Sequence, residues 1–568
     1  MHNVIDILQD CLIRLQQTEN VVQVEARKIL PNLNIATKYI DCWEIKPVIT
    51  VQSIAKRITL YMCFDSSFPY SWPDIYFLDK QFDYLTHIGY DDRKLCLFPD
   101  EAMVNPQKPM EMIDCTLKCA CRLLQENIDG ELNDDFKQEI LSYWRYTYDK
   151  ESYIGTGYLL SRSTLSEGVQ LKARLTNNGL FIYDETDSVA NRILKNCCEE
   201  SERTTYDVMF VSEYKLPDRP PYHITPTKLK KNTSNYFDKI ERFICKNKAN
   251  YTYLLFPIPN TNSFGAVCIP PTPFDLNGFR PGKIPPLFYW FKLNISQNLN
   301  RYTMHPYDID RISERTSGFV SKKRNYWIGG LGSIGSNLIY FLNSEQNVSF
   351  VLADNDTLTI DNIGRHLLGF SSIEKGKANE LKKYICSLRP EREVDAFNDT
   401  IEHILFSEQK NTNTPDALFL CTGNTNAERY ILEKLKDNTK EYPIFILWLE
   451  PYAIAGHMVY INPEHGISSD FLSELHPYNL IAKSEYDSED KSFTKRESGC
   501  ANTYTNYGGS DVVLFLSAMY PIIQQLLQEP TKSTFYRWVG NINIAKEKGM
   551  LLSTQNQLKK GEIQLFRI

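Results

Sequence analysis

The sequence predicts a three-part chain: an α+β unit at the N-terminus, an α/β middle segment, and a doubly wound α/β unit at the C-terminus. Three observations support this. The 568 residues are too many for one core, given ~100–200 residues per domain. The first 150 residues read helix, strand meander, irregular stretch, helices, the order of an α+β fold. After residue 310, apolar runs of strand length alternate with helix-length amphipathic runs, the pattern of a parallel sheet covered on both faces.

Within residues 1–150, the spacing predicts a helix over Val4–Leu15, strands over Lys46–Val51, Arg57–Phe64 and Ile75–Leu78, and helices near 110–127 and 134–146. Residues 151–310 hold strand-like runs at Val169–Arg174, Asp207–Val211 and Thr252–Phe256 between proline-rich turns, which suggests a linker or docking domain without a catalytic motif. Residues 311–568 are expected to place strands at 325–329, 348–353, 416–422 and 443–449, and helices at 333–343, 376–387 and 425–438. Ligands of such a sheet sit at the carboxyl ends of its strands.

Composition narrows the function. With 63 basic and 70 acidic residues and a net charge of -7, no general nucleic-acid surface is suggested. No uninterrupted apolar run reaches the ~18 residues of a membrane span, and Met-His-Asn-Val-Ile-Asp lacks the order of a secretory signal. The expectation is a soluble, cytoplasmic protein away from the membrane. The 14 cysteines are dispersed and never form two C-x-x-C pairs, so no metal site is expected from them.

The densest chemistry lies between Tyr326 and Lys377. Gly330, Gly332 and Gly335 fit G-x-G-x-x-G between an apolar strand and a helix, where backbone N–H groups can cradle phosphate. Asp354 follows at the tip of the next strand, 19 residues beyond Gly335, where a carboxylate can accept from a ribose hydroxyl. Up to this point an NAD site fits equally well. Asp356, Asn362, Arg365 and Lys377 go beyond what a dinucleotide requires and suit a triphosphate, with Arg as a forked phosphate partner and Lys as a point charge.

This ordered set resembles the adenylating domain of ubiquitin-activating enzymes and their bacterial ThiF and MoeB relatives. The resemblance implies ATP with Mg2+ as cofactors, phosphate contacts from Asn362, Arg365 and Lys377, and a catalytic role for the last two. It also implies a homodimer if Arg311 or Arg315 reaches a neighbouring subunit's ATP, although a solvated linker accounts for those arginines equally well. Relatives carry an aspartate in a T-D-N turn, and this chain has Thr422-Gly423-Asn424. Asp356 is the substitute candidate for the magnesium carboxylate.

Two cysteines stand apart from the rest. Cys96 follows the polar turn Asp91-Asp92-Arg93-Lys94 and lies nine residues after His87, a setting that favours exposure. With Phe68-Pro69 and Pro73 upstream, the region resembles the ubiquitin-conjugating fold, in which the matching cysteine carries the modifier as a thioester. The asparagine expected after the histidine is replaced by Ile88 and Gly89. Cys500, in Glu497-Ser-Gly-Cys500, follows a charged stretch with Lys495 and Arg496 and matches the catalytic cysteine of activating enzymes.

The run Trp448-Leu-Glu450-Pro, followed by Ala455-Gly-His457, together with the N-terminal part, is similar to the fused activating and conjugating enzymes of bacterial anti-phage CBASS operons. That resemblance implies a modifier, the C-terminal carboxylate of a cGAS/DncV-like nucleotidyltransferase, relayed from Cys500 to Cys96 and then to a protein or small-molecule amine. A ThiF-like adenylyltransferase serving sulfur-carrier or cofactor biosynthesis, without a conjugating step, is the alternative.

Overall fold

The computed structural model describes the chain except residues 1–3, 31–32, 52, 80–84, 90–91, 100, 133, 136–138, 145–153, 161–164, 200–203, 216–223, 248, 260, 272–296, 319, 321, 408–413, 437–441, 465–478, 483, 486–493, 497–502 and 555–557. Its contacts group into two compact units: residues 1–184 with 202–307, and residues 185–201 with 308–568.

The first unit begins with the helix Val4–Leu15, whose Leu8, Cys11, Leu12 and Leu15 are buried, the one-sided apolar stripe expected of a helix laid on a core. Strands β1 (Val21–Gln23), β2 (Tyr39–Ile45), β5 (Leu60–Asp65) and β6 (Asp74–Tyr76) form an antiparallel meander, and β3 (Val48–Val51) pairs with β4 (Ile54–Arg57) as a separate hairpin. The single strand expected over Arg57–Phe64 is therefore broken, its first residue closing the hairpin and Leu60–Phe64 joining the main sheet. A 21-residue helix, Pro109–Asp129, starts on a proline, ends on left-handed Gly130 and buries Met112, Ile113, Leu117 and Leu124.

The middle segment differs from the layered α/β arrangement expected. Strands β7 (Ile154–Leu160), β8 (Leu171–Thr176), β9 (Gly179–Asp184), β10 (Thr205–Phe210), β11 (Thr252–Pro257), β12 (Phe264–Ile269) and β13 (Arg301–Pro306) close into a barrel in the order β10-β11-β12-β13-β7-β9-β8. Closure rests on the antiparallel β8–β10 pair and the parallel β13–β7 pair, which removes both sheet edges. One barrel face buries Leu171, Leu180, Ile182, Leu255 and Met304. Another packs Leu254, Phe256 and Val267 against Ile240 and Ile244 of the helix Phe237–Lys246.

The second unit is built on an eight-stranded sheet. Strands β14 (Arg324–Gly329), β15 (Val348–Ala353), β16 (Val394–Phe397), β17 (Ala417–Leu420) and β18 (Ile444–Leu449) are parallel, in the order β16-β15-β14-β17-β18. The sheet then turns antiparallel through β19 (Ala455–Ile461), β22 (Thr534–Val539) and β23 (Ile563–Arg567). The doubly wound expectation thus holds for the parallel half, and the antiparallel half is an addition to it. Two short strands, β20 (Thr494–Arg496) and β21 (Thr503–Thr505), pair separately.

The helix Gly509–Gln528 is long and apolar enough to cross a membrane by length and composition. In this unit it buries Val512, Phe515, Leu516, Met519 and Ile523 in the same core as Leu338 and Leu342 of the helix Ser333–Ser344, as a core helix does.

Candidate functional site

The glycine loop leaves β14 at its carboxyl end, where a parallel sheet presents its ligands. Gly330 has a φ of 81°, and a Cβ there would lie 2.6 Å from Thr422 Cα, so both conformation and space require glycine. At Gly335 a Cβ would stand 2.0 Å from the Gly330 carbonyl oxygen, so this glycine lets helix and loop close on each other. Gly332 differs, because a Cβ there would meet nothing within 4 Å. It caps the helix Ser333–Ser344 without a side-chain hydrogen bond, and an uncapped helix N-terminus is a setting that fits an anion such as phosphate.

Asp354 ends β15 and is 8% exposed. Its carboxylate accepts from Leu331 N at 2.6 Å and from Asp356 N at 2.8 Å, so it clamps the glycine loop to the next strand. Lys377 opens the helix Lys377–Leu388 and is 7% exposed. Its Nζ donates to Asp356 at 2.9 Å and stands 3.9 Å from Asp354, while the Asp356 side chain is 67% exposed. Asp354, Asp356 and Lys377 are therefore brought together beside the loop.

Asn362 and Arg365 lie in the following turn. Asn362 Oδ1 accepts from Thr359 N at 3.1 Å, one half of a capping box, so its amide oxygen serves the local fold. The Arg365 guanidinium lies 5.0 Å from the centre of the Tyr507 ring. The Tyr507 hydroxyl in turn bonds Ser333 Oγ at 2.8 Å, and Gly509 N donates to Gly364 O. The segment just after β21 is thereby tied to the first turn of the glycine-loop helix.

Two further residues shape this site without having been singled out by sequence. His366 donates from Nε2 to Leu331 O at 2.8 Å and accepts at Nδ1 from Leu368 N at 3.0 Å, which fixes its tautomer. Burial, reinforced by nearby Lys377, pulls its pKa down to about 4. Glu428, 5% exposed, accepts from Thr422 Oγ1 at 2.7 Å, and burial pushes its carboxyl up to about 7. Both are polar residues on short loops or first turns, a pattern that reads as solvated.

The magnesium expectation meets a different set of donors. Both Asp354 oxygens are occupied by backbone N–H groups, and Asp356 is held by Lys377. Gly423 stands in the left-handed region with a φ of 62° and brings no carboxylate to the turn where relatives carry an aspartate. Among the described residues, no cluster of three or more His, Cys, Asp or Glu could hold a metal ion. As arranged, Asp356 presents one exposed carboxylate beside the loop, and a magnesium ion there would draw its remaining donors from phosphate oxygens and water.

Arg311 and Arg315 sit on the helix Ile309–Ser317 before β14. Cys500 lies outside the described residues, within 497–502 between β20 and β21. Glu450 and His457, the polar members of the Trp-Leu-Glu-Pro run, form a buried pair at 2.7 Å. Glu450 also accepts from Leu480 N and Ile481 N at 2.8 and 2.9 Å. That motif is thus a structural clamp on the segment that returns to the sheet.

The second centre is in the first unit. Cys96 is exposed in a cleft of about 670 Å³ lined by Asp74, His87, Asp92, Lys94 and Glu139, among others. The turn leading to it is closed by Gly89 N to Lys94 O and Cys96 N to His87 O, at 2.7 and 2.8 Å, which sets His87 beside Cys96. His87 has a φ of 59°. Its neighbour Thr86 is gripped by Asn127, which accepts from the Thr86 N–H and hydroxyl and donates to its carbonyl.

The His87 ring hydrogen-bonds Cys96 and stands 3.4 Å from Asp135 and 3.5 Å from Glu139. These partners, Cys96 foremost, raise its pKa to about 9. The sequence pointed to His87 but not to the two carboxylates beside it.

A glycine loop at the carboxyl end of the parallel sheet in the second unit and an exposed thiol beside His87 in the first unit are the two candidate centres. Residues 320–494 match the ThiF family and residues 32–153 match the Prokaryotic E2 family B. The chain therefore carries a ThiF family domain and a prokaryotic E2 family B domain in one polypeptide.

Among solved structures, PaaA is similar at 13% identity over 43% of this chain and 64% of that chain, with a TM-score of 0.29. E. coli MccB with ATP is similar at 11% identity, over 43% of this chain and 64% of that chain, with a TM-score of 0.27. The complex of E. coli MccB with AMPCPP and MccA matches at 10% identity over 43% and 63%, also at 0.27. The matched region spans less than two thirds of the length of these relatives. A search of curated proteins gave no match.

Proposed function

We propose that the C-terminal unit uses ATP to adenylate the C-terminal carboxylate of a protein modifier, which then passes as a thioester through Cys500 and Cys96 to an amine. The observation that carries this reading is the convergence of Gly332, Asp354 and Lys377 on one open helix N-terminus, in a chain that also holds an exposed Cys96 beside His87. In this reading, first-turn N–H groups bind phosphate and Asp354 keeps the loop in register. Lys377, released from exposed Asp356, and Arg365, leaving Tyr507, balance the charge that develops as pyrophosphate departs. Fusion of the two domains raises the effective concentration of the second thiol.

The resemblance to CBASS enzymes makes a cGAS/DncV-like nucleotidyltransferase the candidate modifier, the role anti-phage signalling, the compartment cytoplasmic and the assembly a homodimer. The test is incubation with ATP, magnesium and the candidate modifier, followed by electrophoresis with and without reductant. A reductant-sensitive adduct that disappears in Cys500→Ala and persists in part in Cys96→Ala supports the relay. Pyrophosphate exchange without any adduct in wild type reduces the reading to adenylation alone.

A further inference from the structure

We infer that His87, steadied by Asp135 and Glu139, is the proton-transfer residue at Cys96, cycling between imidazolium and imidazole as the thiol is acylated and then discharged to a primary alkyl amine. The geometry comes first. Glu139 N donates to Asp135 O at 2.9 Å, and the two carboxylates face the two nitrogens of one ring, at 3.4 and 3.5 Å. Cys96 hydrogen-bonds the same ring. Asn127 fixes Thr86 just before it, and the left-handed backbone at His87 persists only where its surroundings enforce it. Asp74, Asp92 and Lys94 complete the charged lining, with Lys94 held by Asp74 at 2.7 Å. The cleft is thus acidic on balance, which favours a cationic acceptor over an anionic one.

The steps balance around this unit. In the reacting pair, one proton is shared between the Cys96 sulfur and the His87 ring. The Cys96 sulfur attacks the incoming thioester carbonyl, the S–C bond forms, and the departing thiolate takes the proton of the His87 imidazolium. An amine then attacks the Cys96 thioester. As the C–N bond forms and the C–S bond breaks, His87 accepts the proton lost by nitrogen, and Cys96 leaves as thiolate, which restores the pair. Asp135 and Glu139 act as positioning residues. Each is 42% exposed, so each alone has a screened and modest influence.

This inference rests on Cys96 being an acyl carrier, and its test is arranged to stand apart from adenylation. In the full-length chain, iodoacetamide alkylation of Cys96 is followed by peptide mass mapping across pH. His87→Asn, chosen because asparagine tolerates left-handed backbone, should slow Cys96 alkylation about tenfold near pH 7, with the difference closing above about pH 9, where His87 loses its proton. Asp135→Asn with Glu139→Gln, at exposed positions that leave the core intact, should produce a smaller slowing in the same direction.

Cys96 is then acylated directly by exchange with a small peptide thioester, and its aminolysis by n-butylamine is measured. The variants should lose aminolysis rate and its pH inflection. Equal alkylation profiles in wild type and all variants, or unchanged aminolysis in His87→Asn, would overturn the inference. Absence of ATP-dependent adducts would overturn the adenylation reading and leave this one standing.

Discussion

Replacing His366 with glutamine should uncouple the local stability of the glycine loop from pH. In the folded chain the ring is neutral, donating to Leu331 O and accepting from Leu368 N. Protonation would convert the accepting nitrogen into a donor facing another N–H and would add a charge near Lys377. Its folded pKa of about 4 lies below the ordinary 6.5, so the unfolded state binds more protons across that interval. The contribution is complete above about pH 6.5 and is lost as pH falls toward 4. The full difference corresponds to on the order of 3 kcal/mol as a ceiling.

Glutamine can present Nε2–H to Leu331 and Oε1 to Leu368 without titrating. The assay is hydrogen exchange of peptides spanning 327–340 and 362–372, corrected for intrinsic exchange, because a chain with several domains has no single unfolding free energy. Between about pH 7 and pH 4.5, local opening in wild type should become easier by about 2 kcal/mol and in His366→Gln by far less. Parallel profiles in the two proteins would refute the reasoning.

Gly332→Ala should melt within about 2 °C of wild type and yet bind ATP more weakly, whereas Gly335→Ala should lose both, because its Cβ would stand 2.0 Å from Gly330 O; calorimetry and nucleotide titration check the pair. Asp356→Asn should lower the KM for ATP several-fold by freeing Lys377 from its 2.9 Å partner, whereas a magnesium-ligand role would make the same variant lose activity in pyrophosphate exchange. Glu450→Gln should destabilise the C-terminal unit by about 2–4 kcal/mol, read from its thermal transition, because one carboxylate serves His457, Leu480 N and Ile481 N.

The parts of the site that were legible in sequence are local in sequence. Gly330, Gly332 and Gly335 stand on one turn, Asp354 at the next strand tip, and Lys377 at a helix start, positions that strand and helix periodicity fixes. The polar turn before Cys96 likewise signalled exposure. Asp135 and Glu139 were not legible as partners of His87, because they lie 48 and 52 residues downstream and nothing periodic marks them.

Barrel closure escaped for a similar reason. The parallel pair that joins Arg301 to Ile154 links distant runs that each read as an ordinary strand. In β19 all seven residues are buried, so its sequence lacks the alternation that distinguishes a half-exposed strand. Glu450 and His457 carried only a resemblance in sequence, because a buried polar pair uses the same residue types as an exposed one and burial is what the structure adds.

Tyr507 connects these threads. Its ring carries Arg365 and its hydroxyl holds Ser333, so the proposed phosphate-balancing arginine and the first turn of the glycine-loop helix share one side chain. A guanidinium that moves off that ring toward a phosphate gives up a cation–π contact of about 0.5–2 kcal/mol. The exchange is favourable only when a charge-assisted, bidentate partner replaces it. Tyr507 stands seven residues after Cys500 in the sequence, so the ring that would sense the phosphates also belongs to the segment that carries the candidate thiol. A Tyr507→Phe variant keeps the ring and loses only the Ser333 bond, and so separates anchoring of the helix turn from retention of the arginine.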